Sequence, residues 1–239
     1  MKSQIALVTF LATGVWSSFS QDFVNLDFNS AQLSAYGTGP AYVPASNAIP
    51  GWTGYLGTDQ QGTMLYNSLS SGDGNLSIVG TNQPSFVYAA PIPGNNYTVV
   101  LQPGPDRNSS SLESVNASIV QTGLIPANAQ SILFTALDFQ ALQVTIAGQV
   151  IPIIEIGSID GGYPRCGGNI SAFAGQVAEL AFTDLTDGTE LSDSEAELAG
   201  ISFSSSPIPE PGTLGLLASG GLFIGWRWRR SFRKVQSTM

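Results

Sequence analysis

Three runs follow one another with little between them: Ser131-Ile132-Leu133-Phe134-Thr135-Ala136, Ala141-Leu142-Gln143-Val144-Thr145-Ile146, and Val150-Ile151-Pro152-Ile153-Ile154-Glu155-Ile156. Each is short, rich in apolar and β-branched residues, and bounded by turn-formers such as Ala147-Gly148-Gln149, which is how strands read. The pattern recurs outward at residues 62–66, 76–79, 85–88, 96–102 and 114–121 on one side and 177–183 and 200–204 on the other. Turn signals separate these runs, among them Pro93-Gly94-Asn95-Asn96 and Pro103-Gly104-Pro105-Asp106. Residues 22–28 place Phe23, Leu26 and Phe28 among polar neighbours and predict a first strand; residues 29–57, with Pro40, Pro44 and Pro50, predict a long loop. Many short strands with frequent turns predict an all-β fold. A jelly-roll-like β-sandwich over residues 21–206 is the expected form, because the last strand runs straight out of the domain.

The two ends differ from this body. Lys2, an apolar core over residues 5–16 and the small residues of Ser18-Phe19-Ser20 predict a secretory signal peptide over residues 1–20. At the other end, residues 207–239 form a distinct tail: Pro209-Glu210-Pro211, a glycine-interrupted apolar segment over 212–228 of minimal membrane-spanning length, and a basic end over 227–234. The basic end predicts a single transmembrane helix with its C-terminus in the cytoplasm. Only Arg107 and Arg165 face the 16 acids between residues 21 and 206, a net charge of −14. So acidic a body repels phosphate backbones, which excludes nucleic acid as a partner. Cys166 is the one cysteine and the chain has no histidine, so there is no internal disulfide and no Ser-His or Cys-His pair.

The tripeptide Pro209-Glu210-Pro211, the apolar run after it and the terminal arginines together resemble the PEP-CTERM sorting signal. The resemblance implies an exported protein of a Gram-negative, exopolysaccharide-making bacterium, taken through the secretion machinery and held for a time in the inner membrane. It further implies that exosortase, a membrane protease-transpeptidase, cuts near the tripeptide. Ile49-Pro50-Gly51-Trp52, Gly175-Gln176-Val177-Ala178-Glu179-Leu180-Ala181-Phe182 and Ile201-Ser202-Phe203-Ser204 are similar to the β-sandwich bodies of such proteins, and those bodies to galactose-binding-like jelly rolls. Many of these carry an aspartate pair before the closing strand that holds a structural calcium. Here the matching residues are Leu198-Ala199-Gly200-Ile201, without a carboxylate.

Three constellations are candidate sites in the body. Six acids fall between Asp184 and Glu197, and Asp184, Asp187 and Glu190 would offer hard oxygen ligands to calcium; the spacing is not that of an EF-hand, and a solvated loop is the alternative. Trp52 and Tyr55, with Tyr36 and Tyr42 upstream, would stack on sugar faces if exposed, whereas Trp52 in the core is the bland reading. Glu155 and Glu179 are the carboxylates to test for glycoside hydrolysis, though strand alternation explains both. Asn-x-Ser/Thr triplets at Asn75, Asn96, Asn108, Asn116 and Asn169 read as turn chemistry. No catalytic signature emerges, and the expectation is a non-enzymatic surface or extracellular-matrix protein associated with polysaccharide. A lectin-like module and a secreted glycoside hydrolase are the alternatives.

Overall fold

The computed structural model describes residues 21–70, 72–81, 91–106, 113–186 and 195–208. The signal-peptide residues 1–20, the strand expected over 85–88 and the tail from 209 onward lie outside the described residues. In chain order the strands are β1 (Ala41–Pro44), β2 (Thr53–Leu56), β3 (Asp59–Gln61), β4 (Thr63–Tyr66), β5 (Asn75–Gly80), β6 (Tyr97–Gln102), β7 (Gly104–Pro105) and β8 (Ser114–Val115). They continue as β9 (Ala117–Leu124), β10 (Ser131–Leu137), β11 (Leu142–Ile146), β12 (Gln149–Ile151), β13 (Ile154–Ser158), β14 (Pro164–Asn169), β15 (Val177–Asp184) and β16 (Ala196–Ser204). Helix is limited to one turn, α1 (Ala45–Ala48), and two short 3-10 turns among the described residues. The described residues form an all-β body, as the composition and turn spacing imply.

Eight strands form one sheet in the order β1-β4-β5-β6-β16-β10-β14-β13, and six form a second in the order β12-β11-β15-β9-β2-β3. A single apolar cluster fills the space between them, with Val99, Leu101, Ile132, Phe134 and Leu198 from the larger sheet and Ile119, Val144, Ile146, Leu180 and Phe182 from the smaller. Burial alternates strictly along β11, as expected for strands with one face inward. Through the centre runs a chain of rings. Phe28 meets Trp52 at 5.9 Å, Trp52 meets Phe182 at 6.2 Å, and Phe182 meets Phe134 edge-on at 5.2 Å, so the contact passes from the N-terminal segment through the smaller sheet to the larger. Beside it, Gly54 lets β2 approach β5, because a Cβ there would collide with Leu76 Cδ1.

Three expectations need correction, and one strand was not foreseen. Residues 22–28 are not a strand beyond an isolated bridge from Asp22 to Leu124. The buried Gln121 amide takes both backbone groups of Val24, accepting from its N–H at 2.7 Å and donating to its carbonyl at 3.0 Å, and Asn25 and Phe28 then turn the chain with φ of 51° and 59°. The long loop expected over 29–57 contains β1 and β2. The run 150–156 is two strands, since Pro152 has no N–H to give a ladder; the chain leaves the smaller sheet after β12 and joins the larger one as β13. Finally, Pro164-Arg165-Cys166-Gly167-Gly168-Asn169 is a strand, β14, lying between β10 and β13. Its glycines are a packing requirement: a Cβ on Gly168 would stand 2.6 Å from Ile151 Cγ2 and 2.8 Å from Ile153 Cδ1, where the crossover passes.

Truncating the ring chain at its centre tests its weight. Trp52→Ala removes a buried indole and should cost about 3–5 kcal/mol, lowering Tm by roughly 10 °C in a thermal melt of the domain.

Candidate functional site

The site best defined by position is the exit of the chain toward the tail. β16 is hydrogen-bonded between β6 and β10, so the last strand lies inside the larger sheet and not on its edge. Beyond it the Gln130 N–H donates to the Ser204 carbonyl at 2.7 Å, and the Ser131 hydroxyl donates to the Ser206 carbonyl at 2.7 Å. The chain then turns and lays Ile208, only 9% exposed, over Gly167 of β14. A Cβ on Gly167 would collide with Ile208 Cδ1 and stand 3.0 Å from Leu133 Cδ2, so the glycine makes the notch that the isoleucine fills. Pro209, Glu210 and Pro211 lie outside the described residues, directly beyond this seat. Sequence reasoning missed Ile208; its signal was a single large apolar residue in the otherwise polar, proline-flanked stretch Ser204-Ser205-Ser206-Pro207-Ile208-Pro209.

The second arrangement is a group of carboxylates where β15 ends and β16 begins. Asp184 closes β15 with no exposed surface; its Oδ2 accepts from the Ala196 N–H at 3.0 Å, while Oδ1 has no partner. Glu197, 4% exposed on β16, leaves Oε2 without a partner. Burial pushes the Asp184 carboxyl up to about 7; the Ala196 N–H opposes this, and the charge of Asp138 adds to it. Burial likewise pushes Glu197 up to about 7, with Glu195 and Asp138 adding to the shift. The two ends of the acidic stretch are thus buried strand residues; Asp187 and Glu190 lie outside the described residues. Calcium takes about 6–8 oxygen ligands. Asp184 has one oxygen left for such a role, and among the described residues no three His, Cys, Asp or Glu side chains are grouped to hold a metal ion.

The remaining candidates are scattered. Trp52 is 5% exposed, its ring lies between Phe28 and Phe182, and its Nε1 donates to the Asn25 carbonyl at 3.1 Å, so it presents no face to solvent. Tyr55, half-buried on β2, pairs with Gln60 and Ser118 on the face away from Gly54 and Leu56. Tyr42 on β1 is the most exposed ring among the described residues, at 74%, beside a groove of about 360 Å³ lined by Pro40, Leu65, Ser68, Leu69 and Ser70. Glu155 and Glu179 are both exposed but stand on different sheets, on β13 and β15, and neither lines that groove or the hollow of about 330 Å³ beside Val150 and Leu185. Cys166 is buried opposite Phe134, and burial pushes its thiol up to about 12, which leaves it protonated and unreactive. Asn169 accepts from the Ser171 N–H at 3.0 Å, which is turn chemistry, whereas Asn116 accepts from the Thr186 N–H at 2.9 Å across 70 residues of chain, a long-range tie.

Residues 207–230 match the family model described as the PEP-CTERM protein-sorting motif, and the chain carries that motif. No curated protein matches the chain. Among solved structures it is similar to a Stig cyclase from Fischerella sp. TAU in complex with an indole compound, at 13% identity and a TM-score of 0.47, covering 80% of this chain and 98% of that one. A second cyclase structure from the same organism, with 4-(1H-indol-3-yl)butan-2-one, gives 14% identity and a TM-score of 0.45 over 80% of this chain and 99% of that one. The secreted serine protease VesC from Vibrio cholerae gives 14% identity and a TM-score of 0.25 over 48% of this chain and 25% of that one. Likeness at this level says nothing of activity.

The carboxylate group gives a pH dependence whose sign is fixed. Unfolded, Asp184 and Glu197 titrate near 3.8 and 4.5; folded, both titrate near 7. Between those values the folded state holds protons that the unfolded state has released, so stability falls as pH rises and the loss is complete above the folded value. Tm should drop by about 5 °C or more from pH 5 to pH 8, given about 1–3 kcal/mol for each carboxylate left charged and unpartnered. The Asp184→Asn, Glu197→Gln double variant should flatten that slope in melts run across the same range.

Proposed function

We propose that this chain is an exported bacterial surface or extracellular-matrix protein with a non-enzymatic body, sorted and cut at its C-terminal motif by an exosortase and associated with exopolysaccharide. The observation that carries this reading is the PEP-CTERM motif at residues 207–230, which begins after only Ser205 and Ser206 beyond the closing strand. The motif makes the chain the substrate of a membrane enzyme. An apolar tail with a basic end suits a temporary anchor, and an acidic body of net charge −14 suits release into water. Support for a non-enzymatic body is the dispersal of its chemistry: the exposed acids Glu155 and Glu179 stand on different sheets, and the two buried acids line no groove described above.

A second reading, a carbohydrate-binding module, is favoured by Tyr42 alone. Its ring is exposed beside a groove whose serines Ser68 and Ser70 offer polar partners, the pairing of flat apolar face and hydroxyl that a pyranose uses. Under this reading Tyr42→Ala, a surface change, abolishes retention on an exopolysaccharide column without moving Tm. Equal retention of both proteins removes it.

The sorting reading is checked by intact mass. Protein recovered outside wild-type cells should have lost the segment containing Trp226 and Trp228, whereas protein from cells lacking the exosortase, or with Pro209, Glu210 and Pro211 all changed to alanine, should stay in the membrane fraction at full mass. Exported material that still ends at Met239 would refute it.

A further inference from the structure

The geometry points to a docking hook at the sorting junction: the folded body holds residues 204–208, tying down Ser204 and Ser206 and seating Ile208 in the Gly167 notch, so that the first bond open to the processing protease lies after Ile208 and the released body keeps Ile208 as part of its fold. This rests on the exosortase reading for the identity of the protease, but the hook itself is a property of the body. Its parts are independent of one another. The Gln130 N–H and the Ser131 hydroxyl fix the carbonyls of Ser204 and Ser206, both at 2.7 Å. The Ser206 N–H donates to the Ser204 hydroxyl at 3.1 Å, which closes the turn. Ile208 then covers Gly167 on the outer face of the larger sheet, beside Leu133, and Ser131 below it is 1% exposed.

A protease binds its substrate as an extended strand whose backbone groups pair with the enzyme. Ser204 and Ser206 already have their carbonyls committed to the body, and Ile208 would have to leave an apolar seat for water before it entered an active site. The matched motif begins at Pro207, so its first two residues belong to the folded body and the rest to the enzyme. Cleavage beyond Ile208 leaves the acyl group on the body, taken by water to give a carboxylate or by an acceptor amine to give an amide, and leaves a new α-amine on the tail. The hook thereby acts as a stop that sets the upstream limit of the cut. It also makes the seat, and with it the completed fold of β10, β14 and β16, a condition for presenting the motif at a fixed place.

The test uses the full chain in mild detergent, digested with proteinase K, with the C-terminal residue of the surviving body read by mass spectrometry. Cleavage of a transiently open segment follows the population of the open form. Wild type should retain Ile208, and Ile208→Ser should be trimmed back toward Ser204 about tenfold faster or more, as expected for loss of a buried aliphatic side chain. Gly167→Val, which fills the notch and leaves the tail sequence untouched, should behave like Ile208→Ser. Wild type trimmed past Ile208 as fast as Ile208→Ser overturns the hook, whether or not Gly167→Val folds. In cells with the exosortase, the released body should end at Ile208 or later, and a body ending at Ser205 or Ser206 also overturns it. Recovery of the uncut chain would refute the exosortase reading and leave the proteolysis result to decide the hook.

Discussion

The contact on which the molecule depends is the sequence of rings Phe28, Trp52, Phe182 and Phe134. Two stacked sheets share no backbone ladder, so their alignment is left to side chains, and large rings supply most area for each contact. Trp52 is the hinge of this arrangement because it does two things at once. Its ring bridges Phe28 and Phe182, and its N–H is satisfied by the Asn25 carbonyl, so an indole is buried without an orphaned donor. The N-terminal segment is tied down by the same residue and by Gln121, whose amide imitates a neighbouring strand for Val24. A segment that would otherwise fray therefore becomes the plug of the sandwich.

Which parts of this were legible in the sequence follows from what each residue is used for. β9 and β11 follow the runs that contain them because their side chains alternate between core and surface, and β10 and β15 because they are short, largely buried apolar runs bounded by turn-formers. β14 was illegible because its Gly167 and Gly168 are selected for having no side chain; they report on what passes over them, Ile208 on one side and the crossover at Ile151 and Ile153 on the other, and that is a tertiary fact. Phe23, Leu26 and Phe28 misled for the opposite reason: they are apolar because they pack, but a side-chain amide and two residues in the left-handed region take the backbone out of the ladder. The candidate sites divide in the same way. The motif at 209–211 is a linear signal and could be read directly, whereas the burial of Asp184 and Glu197 depends on strands that the acidic run itself gives no sign of.

Burying two carboxylates without cationic partners is costly, and the body has few cations to offer, since Arg107 and Arg165 are its only basic residues. Protonation is the solution open to it, and the raised values near 7 are the consequence. The same scarcity of cations that makes the body strongly acidic thus makes one end of the sandwich sensitive to pH. Repulsion among the exposed acids is spread over the surface and screened by salt; the cost at Asp184 and Glu197 is local and is not.

The position of β16 ties the fold to its delivery. In the larger sheet the closing strand is central, flanked by β6 and β10, so the sheet is in two parts until the last residues of the body are in place. β16 is also the last described strand in the chain, just ahead of the residues 207–230 that match the sorting motif. Once it is paired on both sides, the junction beyond it is held by Ser131 and Gly167. An edge strand in that place could fray without disturbing the rest of the sheet; a central one makes the seat of Ile208 on Gly167 inseparable from the finished pairing of β6, β16, β10 and β14.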